Sequence, residues 1–331
     1  MRVVASRSST DRTSLSDGEG LAPFDPMRIE EEGADVHLSA IANTNEVVAR
    51  CSLWWSDVPP LESYRVGVVG HYASANDKSA AVLLESVLDH LRHRYCTVAI
   101  GPMDGNTWRS YRFVTERGSE APFVMEPTNP PEWPLQFERA GFARLAEYFS
   151  ALNTNIQVRD MRVAQVAARL AERGITIRAA ERTALQDEIG RIYQLSRVAF
   201  TRNFLYTPVT EEAFRTQYAK VLPHVVPDLV LLAERGGELA GYLFAIPDLA
   251  QAARGSAVDT FVIKTVAILP DADLRGLGTV LVARAHEAGA RMGFARCIHA
   301  LMHESNVSRN ISNHYASTMR RYTLFSKEIA P

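Results

Sequence analysis

Apolar positions recur at two different periods along the chain, and the switches between them predict most of its elements. Ile175 to Ala180 alternates apolar and polar residues, the pattern of a half-buried strand. Leu185 to Phe200 sets Ile189, Ile192, Tyr193, Leu195 and Val198 at helical spacing. Thr210 followed by Glu211 and Glu212 marks a second helix start, a hydroxyl cap ahead of acids at the positive end of the dipole. That helix runs to about Val221. Asp228 to Glu234 and Leu239 to Ile246 read as strands either side of the turn Arg235-Gly-Gly-Glu238. Ser256 to Ile268 is the next strand, Thr279 to Met292 an amphipathic helix and Arg296 to His303 a strand. Asn306 to Thr318 is a short helix and Met319 to Lys327 a last strand.

The first half repeats this order more faintly. Val36 to Ser52 supplies opening strands, Arg65 to Tyr72 an apolar strand, Ala80 to Arg92 a helix and Cys96 to Ile100 the strand after it. Residues 153–174 form a connecting helix with one apolar stripe, Val163, Val166, Ala167 and Leu170. Residues 1–34, rich in Ser, Thr, Asp and Gly between Ser6 and Gly20, are expected to be a disordered tail. The chain then divides into that tail, a module at 35–152, the connecting helix at 153–174 and a second domain at 175–331.

Composition narrows the class. At roughly 150 residues per domain, 331 residues make two domains, and 47% hydrophobic residues suffice for two cores. A net charge of −2 gives no basic footprint for nucleic acid. Cys51, Cys96 and Cys297 are an odd, unclustered set, which fits buried thiols in a reducing compartment. No apolar run nears the roughly 18 residues of a membrane span, and no signal-peptide core opens the chain, so a cytoplasmic location without a membrane partner is expected.

The chemistry sits at Val266-Ala-Ile-Leu-Pro-Asp-Ala-Asp-Leu-Arg-Gly-Leu-Gly-Thr279. A strand stops at Pro270 and a glycine-bearing turn feeds a helix. Open backbone N–H groups and the helix dipole make such a turn an anion site. Gly276 and Gly278 carry no Cβ, so a phosphate can approach the backbone closely.

Counted from Val266, this run resembles the coenzyme A loop of the GNAT (acetyl-CoA-dependent N-acetyltransferase) superfamily: V-x-V, a proline, then Q/R-x-x-G-x-G/A. Asp273 stands at the Q/R position, and Arg275 two residues on can compensate. In the first half, Gly101 to Trp108, Pro130-Pro131 and Phe137 to Phe142 look like the N-terminal module of bacterial tandem GNAT proteins. The resemblance implies an α/β fold of the α+β kind: two GNAT-like domains, each a mixed, mostly antiparallel sheet flanked by helices. It implies an acyl-CoA-dependent N-acyltransferase that moves acetyl from acetyl-CoA to a primary amine of a small molecule by direct attack.

By position in that family, the backbone of Val266, Ala267 and Ile268 would pair with pantetheine. Arg275, Gly276, Leu277, Gly278 and Thr279 would hold the diphosphate, and Asn306 would belong to the same site. The counterpart loop of the first module, Ser74 to Ala80, has no glycine and is expected to bind coenzyme A poorly. The family's acid is a tyrosine seven residues beyond the Asn; that place is Asn313 here, and Tyr315 is the nearest tyrosine. Among Glu304, His303, His299 and Asp259, Glu304 is the first choice of base. Strand alternation points His299 and His303 one way and Glu304 the other, so no metal is expected. The amine is expected between the modules, with a homodimer possible. Two other readings stay open: a Fem-type transferase using aminoacyl-tRNA, and a non-catalytic acyl-CoA-binding scaffold.

Overall fold

The computed structural model describes residues 1–330 apart from 14, 159, 220, 306–311 and 313. The first half contains β1 (Arg2–Ser6), α1 (Ser9–Thr13), β2 (Ser16–Asp17), α2 (Arg28–Glu31), β3 (Val36–Ile41), β4 (Glu46–Trp54), β5 (Val66–Ser74), α3 (Asp77–His93), β6 (Val98–Gly101), β7 (Phe113–Glu116), α4 (Glu132–Arg139) and β8 (Ala143–Asn153). The second half contains α5 (Met161–Glu172), β9 (Ile175–Ala179), α6 (Leu185–Ala199), α7 (Glu211–Ala219), β10 (Val230–Arg235), β11 (Glu238–Pro247), α8 (Leu249–Ala253), β12 (Thr260–Ile268), α9 (Leu277–Arg291), β13 (Arg296–His303) and β14 (Ser317–Glu328).

All strands join one mixed sheet in the order β1-β3-β4-β5-β6-β14-β8-β13-β12-β11-β10-β9, with β2 on β4 and β7 on β14. Its long strands are buried on both faces, as in β5 and β11, which is why they read as nearly unbroken apolar runs. Parallel pairing is confined to β5·β6, β12·β13 and the short β2·β4. Parallel neighbours need a crossover, and α3 and α9 supply one in each half. Helices α5 and α9 cover one face of the second half, α6 and α7 the other.

The modules are not separate in the way the sequence suggests. The last strand, β14, pairs with β6 of the first half, Phe325 opposite Gly101. Strand β8 pairs with β13 of the second half, Cys297 opposite Asn153. Each half is completed by a strand from the other, and β8 and β14 pair with each other along Ala143–Leu152. A boundary after residue 152 therefore cuts through shared structure.

The tail expected to be disordered is ordered in part. Residues Arg2–Ser6 extend the sheet on β3, and Ile29 in α2 is fully buried. Polar composition hid this, because a few apolar anchors such as Ile29 are joined by polar and charged contacts in tying the segment down. Arg12 pairs with Asp17, and the Trp54 indole donates to the Glu32 carbonyl. The helix expected over 306–318 falls largely outside the described residues; β14 already begins at Ser317.

Candidate active site

Strands β12 and β13 pair from Thr260 opposite Arg296 to Ile263 opposite His299, then part. Both continue, to Ile268 and His303, without further pairing. Two irregularities cause the split. Against β11, the register slips by one residue between Ile263 and Thr265, a bulge at Lys264. Against β8, the register slips between His299 and Met302, with Leu301 at φ 58°. Bulges bend a strand and re-aim its side chains. The gap opens into a cavity of about 700 Å³, lined by Ile263–Val266, by His299–His303 and, from the first half, by Trp108, Tyr111, Arg112 and Tyr148.

The glycine loop lies beyond the end of β12. Gly276 caps α9 at φ 88°, a conformation that suits glycine. The Val280 N–H closes the first helical turn on the Gly276 carbonyl, which leaves the N–H groups of Leu277, Gly278 and Thr279 as the open donors of the first turn. Asp273 does not plug them. Its N–H goes to Asp271 Oδ1 at 2.9 Å, and its carboxylate lies 3.1 Å from Arg173. Arg173 and Arg169, both on the connecting segment around α5, also donate to the carbonyls of Asp273 and Arg275. The family-atypical acid is thus neutralised by an element that sequence reading assigned only a packing role.

The first half has no such opening. Past β6 the chain stays against β5, Met103 N–H donating to the Val69 carbonyl at 2.8 Å. A Cβ on Gly70 would stand 2.1 Å from the Met103 carbonyl oxygen, so the backbones touch where the second half has its gap. At the start of α3, Asn76 and Ser79 cap each other's N–H groups. Both features agree with weak coenzyme binding there.

Three titratable groups meet at the cavity. Lys264 is held down to about 8, first by burial and then by the Arg112 charge. The same two causes lower His303. Its Nδ1 accepts the Ser305 N–H at 3.1 Å, which leaves the ring proton of the neutral form on Nε2. His299 is held down to about 3 by burial and by His286, whose Nε2 lies 3.1 Å from its own. His299 Nδ1 contacts Ser312 Oγ at 2.8 Å.

The expected site residues divide. Val266 lines the cavity, whereas Ala267 and Ile268 pair with Tyr242 and Gly241 of β11 and sit just past it. Arg275 is exposed beside the loop, and Leu277 is buried beneath it. Glu304 does not line the cavity; it pairs with Arg321 of β14, and its N–H donates to the Glu147 carbonyl. Tyr315 faces a second cavity of about 370 Å³ between α5 and α9, away from the gap. Its ring lies 5.2 Å from that of His286. Asp259 is tied to Gln251 and Thr260 at the far end of β12. Asn306 lies outside the described residues. Lys264 and Arg112 were missed. Lys264 is the only charged residue within β12, a signal that was there to read.

Comparison with known proteins fits this geometry. Residues 189–312 match the model of the Acetyltransferase (GNAT) family. The bacterial ceramide synthase of Caulobacter vibrioides is 26% identical over 199 residues, 58% of this chain; the chain spans 50% of that protein's length. A GCN5-related N-acetyltransferase from Sphaerobacter thermophilus superposes with a TM-score of 0.51 at 15% identity, over 99% of this chain and 96% of that one. A tandem GNAT protein from the clavulanic acid biosynthesis pathway superposes with a TM-score of 0.51 at 11% identity, over 100% and 99%. The second half carries a match to the GNAT family, and the chain as a whole shares the fold of tandem GNAT proteins. Among the described residues, no helix is long and apolar enough to cross a membrane.

Proposed function

We propose that the protein transfers an acyl group, acetyl in the simplest case, from acyl-CoA to the amine of a small molecule. The observation that carries this reading is the parting of β12 and β13 beside a helix start with open N–H groups. The loop takes the diphosphate and the free edge of β12 takes the pantetheine amides. The thioester then reaches the cavity at the Lys264 bulge.

The amine nitrogen attacks the thioester carbon and a C–N bond forms. The C–S bond then breaks. The amine's proton passes to neutral Lys264 Nζ, which has to turn from the Met125 carbonyl 3.3 Å away, and the departing thiolate recovers it from there. A group at about 8 suits this shuttle near neutral pH, since roughly a tenth is neutral at pH 7. Backbone N–H groups of β12 left without a β13 partner where the strands part are the donors this reading assigns to the oxyanion. The ceramide synthase relative puts precursors of ceramide on the panel of substrates.

Thermal stability with acetyl-CoA tests the coenzyme site. Mass action gives about 2.7 kcal/mol of stabilisation at a hundred times Kd. The Gly278→Glu variant, on the helical first turn, should lose the shift; Gly276, at φ 88° with Val166 Cγ1 2.7 Å from where a Cβ would stand, stays glycine. No shift with any acyl-CoA would overturn the reading, as would a shift without turnover on any amine.

A further inference from the structure

The cavity between the two halves is charged in one sense. Arg112, Lys264 and Arg202 stand on its wall, and none of its described lining residues is an aspartate or glutamate. Arg112 is the telling one. It is 6% exposed, and among the described residues it makes no ion pair and its Nε and Nη1 have no hydrogen-bond partner. Its guanidinium is held in place in the corner of two perpendicular rings, Tyr111 and Tyr148, with centroids 3.7 and 4.0 Å away. Arg320 shows what the fold does with a structural arginine of similar burial. That side chain, 4% exposed, holds Glu126 and the carbonyls of Arg117 and Glu120. Leaving a buried guanidinium without an anion is costly, because water is lost and nothing replaces it.

We propose that the acceptor amine carries an anionic oxygen group, a carboxylate or a phosphate, and that Arg112 binds it. This rests on the acyl-transfer reading and narrows its substrate class. Arg202, exposed at the rim, adds to the field that draws an anion inward.

The test uses the full chain and two matched pairs: 6-aminohexanoate against hexylamine, and O-phosphoethanolamine against ethanolamine. Binding is read by calorimetry without acyl-CoA, and turnover by kcat/KM with acetyl-CoA. The anionic member of at least one pair should be preferred by roughly 10- to 100-fold, the range of a charged hydrogen-bonded contact. Which pair responds separates carboxylate from phosphate. In Arg112→Met the preference ratio should fall to about one, and Arg112→Lys should keep part of it. An unchanged acetyl-CoA thermal shift shows that each variant is folded. Equal or better use of the neutral members, or anion binding that survives in Arg112→Met, overturns the proposal and leaves acyl transfer standing. Anion binding lost in Arg112→Met, with no transfer to any amine, supports the site and sinks only the acyl-transfer reading.

Discussion

Arg173, just past the end of α5, lies 3.1 Å from the carboxylate of Asp273 in the coenzyme loop. The pair is largely exposed, so it adds little to stability. Its effect is local: it removes a negative charge from the approach of a diphosphate. Arg173→Ala should weaken acetyl-CoA binding several-fold by calorimetry, more at low salt than at high. Asp273→Asn in that background should restore most of the loss. An Arg173→Ala protein with unchanged affinity at low salt would show that the charge of Asp273 does not matter.

The exchange of β8 and β14 predicts how the chain tolerates cutting. Residues 160–331 alone lack β8, so β13 is left with a bare apolar edge. That fragment should aggregate or stay unfolded by circular dichroism. Co-expression with residues 1–158 should give a soluble complex, since both pairings of β8 and β14 can then form. A monomeric, cooperatively melting 160–331 fragment would show that the halves are independent.

This exchange also marks where the sequence stops being legible. Strands β5, β11, β12 and β13 and helices α3, α6 and α9 announce themselves by period, because each buries a face of its own making. In Ala143–Asn153 the polar residues fall at every third place, Arg144, Glu147, Ser150 and Asn153, so alternation does not mark the strand, and nothing local there or in Ser317–Glu328 names a partner. The site divides in the same way. Gly276 and Val266 belong to one contiguous motif and were found. Glu304 closes β13 as expected, but Arg321, brought alongside by β14, claims its carboxylate. Arg112 reaches the cavity only because the first half folds over the second. Ionic partners set by tertiary contact leave no trace in spacing.

His299 makes acid sensitivity predictable. Burial and His286 hold it down to about 3 in the folded protein, against about 6.5 in an unfolded chain. Below pH 6.5 the unfolded state therefore binds a proton that the native state does not, and stability falls as pH drops. The loss runs from about pH 6.5 toward 3 and is absent above that window, with a limiting slope of about 1.4 kcal/mol per unit. His37, which burial and then the Arg12 charge also hold well below 6.5, adds a parallel share, so His299→Gln should reduce the slope seen in urea midpoints by up to about 1.4 kcal/mol per unit, whatever its own offset at pH 8. Parallel slopes for the two proteins would place the acid-sensitive group elsewhere.

Lys264 predicts the shape of the pH–rate profile. If neutral Lys264 takes the amine's proton, kcat/KM, which reports the free enzyme, should rise with a limb near 8 and level off above it. Lys264→Met should lower kcat by about 10²- to 10⁴-fold and remove the limb. Lys264→Arg should be equally slow, because a guanidinium keeps its proton at any working pH. The neighbouring charge supplies the sharper check. Arg112 is the second cause of the depression after burial, so Arg112→Met should move the limb upward, toward the ordinary lysine range but short of it. A limb that stays in place in Arg112→Met, or survives in Lys264→Met, belongs to the substrate amine instead. Lys264 would then be a charge at the bulge, with no part in carrying the proton.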